Sequence, residues 1–267
     1  MADKKRLDQI VLEKGLVESR EKAKALILAG KVLVNGERVT KASKIFSEDV
    51  HVELVEEQKY VSRGGYKLES AFESFKIDVS GKVACDIGAS TGGFTDFLLK
   101  NGVKKVYAVD VGYGQLHWKL RNDPRVVVME KVNARYLKKE DLGEAVDLVT
   151  CDVSFISIKK ILPAIYDILK ESGEAILLVK PQFEAPRKFV KKGIVRDPKV
   201  HEKVLEDVQK SLMENGFSVK GCCFSKLKGA EGNIEYFFWV RKDGEQSDID
   251  LQKVVKEAWE FFGEMKR

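Results

Sequence analysis

Five short apolar runs, at residues 83–87, 106–110, 126–129, 147–152 and 175–180, alternate with stretches whose apolar residues recur at helical spacing. Runs this short and this continuously apolar read as strands buried on both faces, with helices packed above and below. The alternation therefore predicts a parallel, doubly wound sheet. FSVKGCCFSK and IEYFFWV, further on, are joined by a glycine-bearing loop with no helix between them. They are expected to pair antiparallel and to leave one reversed strand at the end of the sheet.

VACDIGASTGGFTDFL, residues 83–98, places three glycines between the first run and a helix-like stretch. The glycines at 88, 92 and 93 miss the G-x-G-x-x-G spacing of a dinucleotide turn, and Phe94 stands where a P-loop needs lysine. Residues 88–92 match the G-x-S-x-G elbow of hydrolases, but a nucleophilic Ser90 requires a histidine. His51 belongs to the N-terminal segment, His117 precedes any suitable acid, and His201 reads as a surface residue of a helix opened by Asp197-Pro198. A fourth pattern fits: D-x-G-x-x-x-G at Asp86, Gly88 and Gly92, with an acid, Asp110, ending the next run. It is similar to the S-adenosylmethionine site of Rossmann-like methyltransferases. There the glycines, with Ser90 between them, admit the amino-acid end of the cofactor to the helix N-terminus, and Asp110 accepts both ribose hydroxyls. Asn133, after the third run, reads either as a bond to the adenine edge or as a turn former.

In an open parallel sheet, ligands sit outside the carboxyl ends of the strands. Asp152 ends the fourth run and Lys180 the fifth, where Pro181 keeps the preceding residue extended. Glu235 begins IEYFFWV, and because that strand is reversed its start falls on the same edge; Lys67 opens a helix-like segment before the first run. Two cations and two anions thus converge beside the expected methyl donor. A ribose 2′-hydroxyl is a poor nucleophile until its proton is withdrawn, and a lysine withdraws it near neutrality only where a second cation and desolvation disfavour its own proton. That logic makes Lys180 the base and Lys67 the neighbouring cation. Asp152 and Glu235 then orient the lysines and the hydroxyl, and no metal is required.

The first sixty residues follow another pattern. Residues 6–13 form a short amphipathic stretch, Gly15 breaks the chain, Ser19 stands at an N-cap position, and Ala23, Leu26 and Ile27 recur at helical spacing before Gly30. KVLVNGERV alternates about Asn35-Gly36, a two-residue hairpin signal, and VHVEL adds a strand. Residues 1–47 hold eleven Lys and Arg against six Asp and Glu, equal to the +5 of the whole chain. The positive excess therefore reads as N-terminal, the footprint of a nucleic-acid contact. Arg20 and Lys24 lie one turn apart, opposite the apolar stripe, and Lys31 follows the helix end; with Arg6 and Lys22 they make the expected RNA-binding edge.

A chain of 267 residues has room for a small domain and a medium one, here residues 1–57 and 64–267 with a linker at 58–63. EEQKYVSRGG, residues 56–65, is polar and ends in two glycines, which suits a joint. No run approaches the ~18 apolar residues of a membrane span, and the basic N-terminus lacks a signal-peptide core, so the expected location is the cytoplasm. Cys85, Cys151, Cys222 and Cys223 lie in strand-like runs without C-x-x-C spacing and read as reduced core residues.

SREKAKALILAGKVLVNGERV resembles the S-four-type RNA-binding domain over roughly residues 5–55. GASTGGFT, VDVGYGQL, RNDPRVVVMEKVNAR, SFISI, LVKPQFE and GNIEYFFW, together with YVSRGG, resemble the TlyA family over nearly the whole chain. The resemblance implies an α/β fold: an FtsJ-like, Rossmann-like S-adenosylmethionine-dependent methyltransferase domain, its sheet mostly parallel with one antiparallel strand, preceded by a small α+β RNA-binding domain. It also implies a Lys-Asp-Lys-Glu tetrad at Lys67, Asp152, Lys180 and Glu235. The implied product is 2′-O-methylcytidine in 16S and/or 23S ribosomal RNA, within ribosomal subunits. Gln58 to Val61 correspond to the family's linker, implied to couple RNA docking to cofactor binding, with Tyr60 where some members carry tryptophan. The family also bears the name haemolysin. A membrane-active protein needs a long span or a strongly amphipathic membrane helix, whereas LQKVVKEAWEFFGEMKR is expected to pack on the sheet through Val254, Val255, Trp259 and Phe262. The other alternative is an RNA-binding assembly factor with a vestigial cofactor pocket, against which stand polar residues at all four tetrad positions.

Overall fold

The computed structural model describes residues 3–55 and 58–264. Glu56 and Glu57 of the expected joint, and residues 265–267 of the expected C-terminal helix, lie outside the described residues. The chain divides into two compact units, Met1–Lys59 and Tyr60–Arg267.

The first unit runs β1 (Lys4–Arg6), α1 (Leu7–Glu13), α2 (Arg20–Leu28), β2 (Val32–Val34), β3 (Glu37–Arg38), β4 (Ile45–Ser47) and β5 (Val52–Leu54). Ser19 caps α2 by accepting the Lys22 N–H at 3.2 Å. Asn35 and Gly36, with φ of +50° and +80°, make the tight turn that lets β2 and β3 pair antiparallel. β5 pairs with the other edge of β2. β1 and β4 form a separate antiparallel ladder that the sequence reading missed, because KKR and IFS are too short to show an alternation. Leu7, Ile10, Val11, Ala23, Ile27 and Val32 form the core of this unit.

The second unit opens with α3 (Arg63–Phe75), followed by β6 (Val83–Ile87), α4 (Gly93–Lys100), β7 (Lys105–Asp110), α5 (Trp118–Arg121), β8 (Val126–Glu130), α6 (Lys139–Leu142) and β9 (Val146–Cys151). It continues through α7 (Leu162–Ile168), β10 (Leu169–Val179), α8 (Pro181–Glu184), β11 (Val190–Lys191), β12 (Ile194–Val195), α9 (Pro198–Glu214), β13 (Ser218–Phe224), β14 (Tyr236–Arg241) and α10 (Leu251–Phe261). Seven strands form one sheet in the order β13-β14-β10-β9-β6-β7-β8. β8, β7, β6, β9 and β10 are parallel, and β14 is antiparallel to both of its neighbours. The reversed strand thus lies one place inside the edge, not at the end. Tyr236, Phe237, Phe238 and Val240 of β14 are buried and demand cover on both faces, whereas β13 is largely half-exposed and suits an edge.

Alternate residues of the strands enter different cores. Cys85, Ile87, Val109, Val149 and Leu177 pack with α7, α9 and α10, while Ala84, Val106, Leu148, Ile176 and Phe237 pack with α3 and α4. In α10, Val255 and Trp259 are buried, and Val254 and Phe262 pack against the same core. His201, expected on the surface, is buried in α9. Its Nε2 donates to the Val195 carbonyl at 3.0 Å, so its Nδ1 accepts from the Tyr236 hydroxyl at 2.9 Å. Burial pushes its pKa down. The error arose because Asp197-Pro198 marks where a helix starts but not which face it turns inward. Chain order runs from β6 outward through β7 to β8, then returns to β9 on the other side, so the topological switch lies between β6 and β9.

Candidate active site

At that switch the loops after β6, β7, β8 and β9 enclose a crevice of about 520 Å³, lined among others by Gly88, Ser90, Asp110, Asn133 and Asp152. Gly88 has φ +80°, and a Cβ there would overlap the carbonyl oxygen of Asp152, so the loop approaches β9 more closely than any side chain permits. Asp110 accepts the Ser90 N–H at Oδ2 (2.8 Å) and the Gly112 N–H at Oδ1 (2.6 Å). Each oxygen keeps a lone pair, a fixed acceptor pair suited to vicinal hydroxyls. Asn133 lines the crevice and caps a turn, its Oδ1 accepting the Arg135 N–H at 3.2 Å, as the turn-former reading expects.

Two of the six expected cofactor residues, Gly92 and Asp86, do not line the crevice. Gly92 has φ +95°, and a Cβ on it would strike Leu120, so it is a packing glycine. Asp86 has no exposed surface and accepts the hydroxyls of Thr95 (2.7 Å) and Thr150 (2.9 Å). Burial pushes its carboxyl up to about 6. The volume, the apolar Val111, Val132 and Ile156, and the Asp110 acceptor pair fit a nucleoside cofactor.

Four charged residues meet beside the crevice in two pairs. Lys67 Nζ, from α3, donates to Glu235 Oε2 at 2.6 Å, and Lys180 Nζ lies 2.6 Å from Asp152 Oδ1. Glu235 is 1% exposed and Lys180 9% exposed, so these are not rim charges. Lys67, Lys180 and Glu235 line a second cavity of about 390 Å³, while Lys67 and Asp152 share a recess of about 150 Å³ with Gly88 and Ser90. Ser154 and Phe155 line both the crevice and the second cavity.

Local structure fixes each member. Lys180 stays extended before Pro181, with φ −111° and ψ 104°. Gly229 leaves room for the Glu235 carboxylate, which a Cβ there would strike. Asn233 ties this loop to the β11–β12 hairpin, donating to the Gly193 carbonyl at 2.8 Å and accepting the Val195 N–H at 3.3 Å. Ser154, which accepts from Lys180 Nζ at 2.8 Å, escaped the sequence reading. Its only signal was its place two residues after Asp152, just past the end of β9. Ser90 Oγ faces Gln115 at 3.4 Å and His201 is engaged elsewhere, which removes the hydrolase reading.

In the first unit Arg6 and Arg20 both turn to one carboxylate. Arg6 Nε donates to Asp8 Oδ1 at 3.0 Å and Arg20 Nε to Asp8 Oδ2 at 2.9 Å, while Asp8 has no exposed surface. Arg20 is therefore tied to Arg6 through Asp8, while it stays one turn from Lys24 in α2. The two arginine side chains remain 42% and 38% exposed. Lys22 is exposed, 3.9 Å from Glu18, and Lys24 and Lys31 are half-buried.

The family description of FtsJ-like methyltransferases matches residues 60–242, and that of the S4 domain matches residues 5–52. The 16S/23S rRNA (cytidine-2'-O)-methyltransferase TlyA of Mycobacterium tuberculosis is 44% identical over 90% of this chain and 91% of its own length. Hemolysin A of Brachyspira hyodysenteriae is 51% identical over 86% of this chain and 97% of its own. A solved structure from Streptococcus thermophilus, also bearing a hemolysin name, superposes with a TM-score of 0.76 at 45% identity over 98% of both chains. No helix among the described residues is long and apolar enough to cross a membrane.

Proposed function

Because the chain belongs to the TlyA family of FtsJ-like methyltransferases with an N-terminal S4 domain, we propose that it methylates the ribose 2′-hydroxyl of cytidine in ribosomal RNA. Its substrates are then ribosomal subunits, through 16S rRNA, 23S rRNA or both, and its place is the cytoplasm, where ribosomes are. The observation that carries this reading is the meeting of two lysine–carboxylate pairs where the crevice adjoins the second cavity.

Bound S-adenosylmethionine supplies an electrophilic methyl group on a sulfonium centre. Asp110 would hold the cofactor's ribose hydroxyls, and the loop at Gly88 to Ser90 would receive its amino-acid end. Lys180 Nζ would accept the 2′-hydroxyl proton as the ribose oxygen takes the methyl group and the sulfonium sulfur departs as a neutral thioether. Asp152 and Ser154 aim Lys180, and Glu235 holds Lys67 so that its ammonium stands beside the oxygen as negative charge develops. Arg6, Arg20, Lys22, Lys24 and Lys31 of the first unit contact RNA phosphates.

The test supplies labelled S-adenosylmethionine to purified small and large ribosomal subunits separately and maps the label by its protection of the 3′ phosphodiester from alkali. Lys180→Ala is expected to lower the rate of transfer by about 100-fold or more while cofactor affinity stays unchanged. Transfer at the parent rate, or label on a base instead of a ribose, overturns the reading.

A further inference from the structure

A nucleotide that presents its 2′-oxygen to Lys180 must place its base nearby, and the second cavity adjoins that lysine. Its walls include the apolar side chains of Phe155, Phe183 and Val190 together with Gln182. Gln182 lies two residues after Lys180, on the single turn α8. There the Phe183 N–H donates to the Lys180 carbonyl and the Ala185 N–H to the Pro181 carbonyl, both at 2.9 Å. The turn and Pro181 fix the position of Gln182 relative to the lysine.

Glu184 of the same turn is committed to structure, accepting the Ser157 hydroxyl at 2.6 Å and the Ile158 N–H at 2.7 Å. Gln182 is not: its Oε1 is buried with no hydrogen-bond partner among the described residues. A buried acceptor left unpaired is destabilising, and folded proteins rarely keep one without a use. No described residue supplies that oxygen with a donor. Cytosine carries one at position 4, its exocyclic amine, whereas uracil carries an acceptor there, whose lone pairs would face those of the Gln182 oxygen.

We propose that Gln182 reads the exocyclic amine of the target base from within the second cavity and so selects cytidine over uridine. The proposal rests on the reading of the chain as a ribose methyltransferase. It adds a cause for base preference that the ribose chemistry, common to every nucleotide, does not contain. A site built around a hydrogen bond to the correct substrate rejects an analogue that leaves its polar group unpaired.

The test compares kcat/KM for subunits carrying C, and subunits carrying U, at the labelled position, with the parent enzyme, Gln182→Leu and Gln182→Glu. The parent enzyme is expected to favour C by about 10-fold to 100-fold. Gln182→Leu should lose that preference mainly by slowing on C, and Gln182→Glu, which keeps an acceptor, should retain it. An equal loss on C and U in Gln182→Leu marks a merely structural residue and overturns the proposal. So does a parent enzyme indifferent to C or U, an outcome that does not depend on how either variant folds. Failure of the parent enzyme to label any ribose overturns the methyltransferase reading and this proposal with it, and is distinguishable from both other failures.

Discussion

Asp8 sits where a carboxylate is stable only if fixed cations compensate for lost water. Burial by itself would raise its pKa, but the hydrogen bonds from Arg6 and Arg20 outweigh burial and hold it down at about 2. A folded value below the unfolded ~4 gives a contribution that is fully present above pH ~4 and lost as pH falls through ~2, on the order of 2 kcal/mol in all. Asp8→Asn is expected to cost the first unit about 2 kcal/mol at neutral pH, with the gap to the parent closing in acid. Denaturant unfolding that shows a constant gap down to pH ~2 refutes the assignment. The same substitution removes a negative charge, so bulk attraction predicts tighter RNA binding, whereas guanidiniums released from a fixed geometry predict weaker binding, the outcome expected here. None of this was legible in RLDQIVLE, because the bond from Arg20 spans 12 residues and exists only through the packing of α1 on α2. Charges at strand ends were legible, since topology assigns them an edge, and the resemblance drew Lys67 to Glu235 across 168 residues. Ser154 and Gln182 were not legible: aiming a lysine or awaiting a donor leaves no spacing signal.

The turn from β6 into α4 shows why a glycine pattern carries information at the level of the element. Gly88 and Gly81 both have positive φ, +80° and +73°, but a Cβ on Gly88 would enter the Asp152 backbone, whereas one on Gly81 meets nothing within 4 Å. Gly81→Ala is expected to cost about 1 kcal/mol of backbone strain and leave cofactor binding alone. Gly88→Ala should cost about 3 kcal/mol and weaken S-adenosylmethionine binding at least ~10-fold, because the carbonyl it displaces belongs to Asp152, which lines the crevice. Thermal unfolding and calorimetric titration check both, and equal effects at the two positions would sink the close-approach argument. The parallel strands were readable because burial on both faces writes a continuous apolar run. β1, β4, β11 and β12, of two or three residues each, write no pattern at all. The inward place of β14 was implicit in its apolar length, but strand order among antiparallel neighbours is decided by which faces need cover, a property of the whole sheet.

At the scale of the molecule, the apparent N-terminal excess of charge depends on where the count stops. Through residue 59 the first unit holds twelve Lys and Arg against eleven Asp and Glu, and residues 60–267 hold 35 against 31. Residues 48–59 bring five acids and one lysine, which offset the basic segment before them. Net charge therefore assigns RNA attraction to the second unit, whereas local arrangement, with Arg6 and Arg20 held on Asp8 and Lys22 exposed, assigns a share to the first. The two assignments separate in salt. Each phosphate neutralised contributes about −0.7 to −0.9 to the slope of log affinity against log salt. The units have separate cores, so residues 60–267 are expected to fold alone. If Arg6, Arg20 and the three lysines engage even three phosphates, the slope for the full chain should exceed that of the fragment by about 2. Net charge alone predicts almost no difference, since the first unit adds only one positive charge. Titrating ribosomal RNA into both proteins at several salt concentrations decides between them, and coincident slopes would withdraw phosphate contacts from residues 1–55.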